Sequence, residues 1–410
     1  MSTPMRRRTR AIVTATAVLS ALVLSACTAP GAAQSQDKSD SKIVKPIKPT
    51  KPVDLDILDA AGDLLGTKQV FESFKKAHPD WVGNISYETA GAPDVTGKLK
   101  AQSLGGNVTI TMVLGGTGVV GPAVAQNLLV KQYPDYQSDL PDLSKVFDKP
   151  RQELQDLSMG YGVMNRWGPS GPLLEYNPDK VSDPPTTPQE LLAWAKAHPK
   201  QFSYAQPPNS GSGWIFLQGL PYLLGDKDPS DPVNGWSKTW AYLAELNKYT
   251  APYPASSTII GQQFGSGQIT LMPQIVGIDI VTRQNGTVPP NSAVTTFKPQ
   301  VWLGDGHYWM IPKGVSPQVL YVDLALEKYM MTDKEQAATM SAENGELTTA
   351  NKNVTISDAP AAAQAGIQKW GRPDFYPKAF TQGKTVATLS AAELAKAFDI
   401  WNEKIGGAAQ

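Results

Sequence analysis

Two observations predict an α/β fold divided into two domains or lobes. Short apolar strands alternate with amphipathic helices along most of the chain, the pattern of mainly parallel sheets covered by helices. The chain also has 410 residues, more than one ordinary core accommodates. A third observation bears on stability. Cys27 is the single cysteine, so no internal disulfide forms and core burial must hold the fold.

Residues 53–58 alternate apolar and polar side chains and predict the first strand. Asp59-Ala60-Ala61-Gly62-Asp63 is a turn, and residues 65–77 are a helix with Val70, Phe74 and Ala77 on one face, stopped by Pro79. A strand at 85–89, a helix at 95–104 and a buried β-branched strand at 108–114 follow, the last running into Gly115-Gly116-Thr117-Gly118. Residues 122–129 form a short helix. Strands at 161–167 and 173–177 flank Gly168-Pro169-Ser170-Gly171-Pro172. Thr187, Pro188 and Glu190 give a capped helix start, and that helix ends at His198. Residues 202–205 predict a strand, 215–224 and 236–248 helices, and 269–272, 275–281 and 307–311 strands. A helix over 317–331 carries Val319, Val322, Leu326 and Met330 at helical spacing. Another spans 334–342 and stops at Asn344-Gly345. Ser390 and Glu393 box the last helix, 390–404. There is no internal repeat.

The N-terminus has a basic head, Arg6, Arg7, Arg8 and Arg10, and then an apolar run over 11–24. That run is shorter than the roughly 20 residues of a comfortable membrane span and reads as a secretory signal peptide, residues 1–26. Leu24-Ser25-Ala26-Cys27 resembles the bacterial lipobox. The resemblance implies cleavage before Cys27, lipidation of that cysteine and attachment to the outer face of a membrane. An ordinary signal peptide with a chance cysteine is the alternative. Residues 27–52, rich in Ala, Ser, Lys and Pro, read as a tether with extended Lys-Pro steps. It is either a plain spacer or a basic segment that rests on anionic lipid. Without the four arginines the chain carries 33 basic and 37 acidic residues, a net charge of −4, which gives it no electrostatic reason to bind nucleic acid.

The order of motifs carries a family resemblance. After the lipobox and tether come the strand-turn-helix, then Leu173-Leu174-Glu175-Tyr176-Asn177-Pro178-Asp179-Lys180 and the helix start at 185–191. Phe264-Gly265-Ser266-Gly267-Gln268-Ile269-Thr270 and Ile311-Pro312-Lys313-Gly314 follow. This order resembles the extracellular solute-binding proteins of ABC importers over most of 53–405. The 202–213 stretch resembles the branch that includes polyamine, thiamine and ferric-ion binders. No Tyr-Tyr pair is present, which lowers a ferric ligand. The resemblance implies a two-lobed periplasmic-binding-protein-like fold with a hinge and an interlobe cleft. Lobe 1 takes 53–170 and 298–331, and lobe 2 takes 171–297 and 332–406. It further implies a monomer that hands a small solute to a permease driven by a separate ATPase, without a cofactor.

Ligands of open α/β sheets sit beyond the carboxyl ends of strands. That rule selects Gly62 and Asp63 after the first strand and Gly116 and Thr117 after the third, as one wall. Asn209, Ser210, Ser212 and Trp214 form the other, through hydroxyls, amides and an indole face. Gln274, Asp279, Trp167, Trp309, Trp302, His307 and Tyr308 are further candidates, and 343–346 lies near the mouth. Tight turns, helix capping and core packing explain many of the same residues. A polyamine or thiamine-like cation calls for Asp63, Asp279 and tryptophan faces. A sugar calls for the same aromatics with Asn209 and Gln274. His78, His198 and His307 are far apart, no metal-ligand spacing appears, and no nucleophile elbow is present. An exported hydrolase with a carboxylate pair and a surface scaffold are the rival readings.

Overall fold

The computed structural model describes residues 43–407. Cys27 and the signal segment lie outside the described residues. In chain order the elements are β1 (Val53–Asp59), α1 (Leu64–Ala77), β2 (Val82–Thr89), α2 (Ala92–Gly105), β3 (Met112–Gly115), α3 (Thr117–Ala125), α4 (Leu143–Val146) and α5 (Lys149–Asp156). Then come β4 (Val163–Gly171), β5 (Leu173–Tyr176), α6 (Pro188–Ala197), α7 (Gly211–Leu224), α8 (Ser237–Asn247), α9 (Ser257–Gly265), β6 (Leu271–Gln274) and α10 (Val276–Gln284). The chain closes with β7 (Ala293–Thr296), β8 (Val301–Met310), α11 (Pro317–Met330), α12 (Asp333–Thr339), α13 (Ala361–Trp370), α14 (Tyr376–Phe380), β9 (Lys384–Val386) and α15 (Ala391–Trp401).

Two sheets result. The larger has the order β2-β1-β3-β8-β4, with β9 beside β8; the smaller is β6-β5-β7. Pairing is parallel for β1 with β2 and β3, and antiparallel where β8 joins β3 and β4. The smaller sheet is antiparallel throughout, against the expectation of mainly parallel sheets. The strand expected at 202–205, which would pair in parallel, does not form. It shrinks to one parallel bridge, Phe202 to Leu271. Its backbone bonds instead to 251–254, through Ala251 N to Phe202 O and Gln206 N to Pro254 O. Pro207 and Pro208 then supply no donors to extend a ladder.

Alternation along β8 builds both faces of the larger sheet. Trp309 points to the α1 and α11 side and stacks on Phe71 at 4.7 Å. Tyr308 and Met310 point to the other side with Val163 and Met164. Truncating Trp309 to alanine costs about 3–5 kcal/mol by the usual price of an emptied aromatic site. Leu174 and Leu173, neighbours on β5, likewise serve two different clusters.

Residues 275–281 are the clearest departure from expectation. Their β-branched composition predicts a strand, yet they begin helix α10. The burial of Val276, Asp279, Ile280 and Arg283 follows a helical period, so packing on one face overrides local propensity. The end of the expected tether is also not free. Ile47 N bonds Pro317 O at 2.9 Å, Tyr136 Oη bonds Val44 O, and Lys48 lies over the Trp81 ring.

One internal feature opposes stability. Asp323 and Glu327, one turn apart on α11, are buried. Neither oxygen of Asp323 has a hydrogen-bond partner among the described residues, while Glu327 meets only Gln132 Nε2, at 2.9 Å. Burial pushes both carboxyls well above the ordinary carboxylate range. A raised folded-state value adds stability below the unfolded value and loses it as pH climbs. Asp323→Ala is therefore expected to raise the melting temperature, by about 1–3 kcal/mol of added stability at pH 8 and by less at pH 4. Thermal denaturation across that range checks it; a variant less stable than the parent at pH 8 contradicts it.

Candidate ligand-binding cleft

β4 ends at Gly171 in the larger sheet, and after Pro172 alone β5 starts at Leu173 in the smaller one. The chain returns between β7 and β8, across 297–300. Beside these crossings lies a cavity of about 330 Å³. One wall is the β4–β8 ribbon, with Arg166, Pro169, Ser170 and Asp305. The opposite wall is Ser257 and Thr258 at the start of α9, and residues 275–278 at the start of α10. A loop carrying Asn344, Gly345, Glu346 and Thr348 completes it.

The start of α10 follows directly on β6, at the carboxyl end of that strand, the expected place for a ligand. Ser210 caps α7 and Ser256 caps α9, but Ile275 offers α10 no side-chain acceptor. The first amides of α10 therefore have no side-chain cap on the wall of the cavity. Gly345, at φ +74°, packs so close that a Cβ on it would sit 2.6 Å from the Gly277 backbone. Gly345 is the glycine this contact requires.

One wall rests on an ionic cluster in which Asp63 is buried and Arg166, His307 and Glu346 are half-buried. Asp59 accepts the amides of Ala61, Gly62, Asp63 and Leu64, so the turn after β1 has spent these donors internally. Asp63 accepts His307 Nδ1 at 2.5 Å and lies 3.5 Å from Arg166 Nη1. Arg166 also pairs with Glu346 through Nη2. Burial alone would raise the Asp63 carboxyl, but His307 and Arg166 hold it below the ordinary range. Burial alone would lower His307, but Asp63 and Asp305 hold it above the ordinary imidazole value. Burial keeps Glu346 raised despite Arg166. Asp305 has a side chain 28% exposed, and its nearest cation is His307 Nε2 at 3.8 Å.

Residues 69–369 match the family model described as bacterial extracellular solute-binding protein. The chain belongs to this family. Solved structures similar to this solute-binding protein include an ABC transporter protein from Clostridium perfringens. Its TM-score is 0.64 at 13% identity, covering 87% of this chain and 100% of that one. A spermidine/putrescine ABC transporter substrate-binding protein from Streptococcus pneumoniae gives 0.60 at 14% identity, covering 85% and 98%. A periplasmic thiamin binding protein gives 0.57 at 16% identity, covering 89% and 99%. These likenesses show the two-lobed periplasmic-binding-protein-like fold. Comparison with curated proteins finds no match. Among the described residues no helix is long and apolar enough to cross a membrane, and no group of three or more His, Cys, Asp or Glu is arranged to hold a metal.

Within this solute-binding protein the residues singled out from sequence fall in three places. Gly62 and Asp63 line a small chamber next to the cavity, and Gly116 faces the His307 ring beside them. Thr117 is buried at the start of α3 and lines neither space. Ser210 and Ser212 reach the cavity wall indirectly, bonding Ser257 Oγ at 2.6 and 3.3 Å. Asn209 is exposed and Trp214 half-buried, both off the cavity wall.

The third group belongs to the interior. Asp279 is enclosed by Arg283, Arg372 and Tyr376, and the two arginines hold its carboxyl low against the upward push of burial. Gln274 bonds Glu175 and the Ile275 amide, and Glu175 is pushed up to about 7 by burial and by Asp279. Trp167 stacks under the Arg151 guanidinium at 3.8 Å, and Trp309 and Trp302 are core. Arg166, Asp305, Ser257 and Thr348 escaped sequence reasoning. An arginine inside the apolar run of β4 and an aspartate between two glycines of β8 were the available signals.

The His307 proton stabilises the fold below the unfolded imidazole value, and this contribution is lost as pH rises through the raised folded value. His307→Gln keeps a donor toward Asp63 without that titration. The parent is expected to exceed the variant most near pH 6, with the gap narrowing toward pH 9. Parallel melting curves test this; a gap that stays constant or widens with pH contradicts it.

Proposed function

We propose that this chain is the lipid-anchored receptor of an ABC importer, working on the outer face of the membrane as a monomer. It captures a small polar solute between its lobes and delivers it to a permease driven by a separate ATPase. Lobe 1 is taken as 53–170 with 298–331, and lobe 2 as 171–297 with 332–406, β9 adding its edge to the larger sheet. The observation that carries the reading is the cavity, whose walls come from the β4–β8 ribbon on one side and the starts of α9 and α10 on the other. A solute touching both walls binds the closed arrangement better and so favours it.

The wall chemistry supports a cation over a sugar. Its charged side chains are Arg166, Asp305 and Glu346, one positive and two negative, and Arg166 is already paired. Among the described residues Phe380 is the one aromatic side chain on the wall, so the flat faces that hold sugar rings are scarce. Catalysis is not part of this reading. Ser257 bonds other serines rather than a base, and Glu346 is tied to Arg166.

Two measurements test the proposal. Thermal-shift screening against amines, thiamine, sugars and amino acids should give a hit without turnover. Asp305→Asn should weaken that hit about tenfold, or about 1.4 kcal/mol. Silence across the library, or product formation, would remove the receptor reading. Separately, Cys27→Ser should move the protein from the membrane fraction to the medium, because the acyl chains supply about 0.8 kcal/mol per buried methylene. Retention of that variant on the membrane would exclude the lipid anchor.

A further inference from the structure

Next to the ligand cavity lies a chamber of about 30 Å³, the space one water molecule takes in the liquid. It shares Arg166, Asn344, Glu346 and Thr348 with the larger cavity, so the two spaces adjoin. Two of its lining side chains have unmet polar atoms. Asp63 Oδ2 has no partner, and neither has the oxygen or the nitrogen of the Asn165 amide. Both residues are only 3% exposed.

The hydroxyls around the chamber decide what it can hold. Thr67 donates its proton to Asp63 O, Thr339 to Gln336 O, Thr348 to Trp167 O and Thr349 to Asn351 O. Each hydroxyl has one proton to give, so all four offer only lone pairs to a guest. Asp63 Oδ2 and Asn165 Oδ1 add two more acceptors. The donor groups on the lining are the unpartnered Asn165 nitrogen, the Asn344 amide and the Arg166 guanidinium, whose charge is already met by Asp63 and Glu346. A water guest would give these six acceptors two protons; a primary ammonium group gives them three.

The charge balance points the same way. Asp63, Asp305 and Glu346 face Arg166 and His307. Even with His307 protonated the cluster holds three negative charges against two positive ones. One further monocation neutralises it.

We propose that this chamber receives a primary ammonium group, the terminal amine of the solute held in the adjoining cavity. The inference rests on reading that cavity as the solute site, and it narrows the solute to a primary amine. A quaternary ammonium has no N–H to give these acceptors. The selecting residues are Asp63 and Asn165.

The test uses the full chain at pH 7 in amine-free buffer with about 100 mM methylammonium, tetramethylammonium or sodium chloride. Methylammonium should raise the melting temperature by about 1–2 °C over the other two. Asn165→Leu, which fills the chamber and leaves the ion pairs alone, should abolish the difference. If that variant does not fold, the near-isosteric Asp63→Asn serves instead. An equal shift with sodium would mean a metal cation site and overturn the proposal. No shift with any salt would mean a water site and also overturn it. A library solute lacking a primary amine, bound equally by parent and Asn165→Leu, would overturn the ammonium assignment while leaving the receptor reading intact. A methylammonium shift with no library hit would sustain the chamber and remove the receptor reading.

Discussion

Arg166 is the side chain on which the cleft depends. From β4 it reaches Asp63, at the start of α1, and Glu346, on the loop that follows α12. Through Glu346 that loop is held where Gly345 meets the Gly277 backbone at the start of α10. A cation at this point ties together one turn of the larger sheet, the ribbon that leaves it and the loop after α12 on the cavity wall. The desolvation of so many charges is tolerable because each has an opposite partner within reach. Removing Arg166 would leave Glu346 without its cation and Asp63 with His307 alone.

The helix starts around the site are satisfied in different ways. After β1, Asp59 fills the amides of the turn, so the backbone donors at this end of α1 are closed to a ligand. After β6, Ile275 caps nothing, and the amides open onto the cavity. Serines at the starts of α7 and α9 take an intermediate course. They cap their own helices and join their hydroxyls into one cluster at the edge of the site. The wall nearest Asp305 is thus rich in carboxylates, and the wall across from it in helix starts.

Much of the fold was legible in the order of residues. The strand of β1, the helix of α1, the start of α6 at Thr187 and Pro188 and the start of α15 at Ser390 follow from alternation and capping. Even there a detail escaped. The Glu190 carboxylate bonds Thr186 N rather than the amide of the capping Thr187. The site was less legible. Asp279 looked like a free acid, but its charge is consumed by Arg283 one turn on and by Arg372, 93 residues away. The tryptophans looked like ligand faces, but Trp309 and Trp302 fill the core.

The sequence by itself determined the local matters: which segments are apolar enough to be strands, where helices are capped, and that no disulfide is present. It also held the family pattern, because that pattern is an order of short motifs. Tertiary structure alone decided which polar groups remain unspent. Whether Asp305 is open while Asp279 is closed depends on partners distant in the chain, and no local periodicity encodes them. The same holds for the helix at 276–284. Its β-branched residues prefer a strand in isolation, and only the face buried against Arg372 and Tyr376 turns them into the uncapped helix start that lines the cleft.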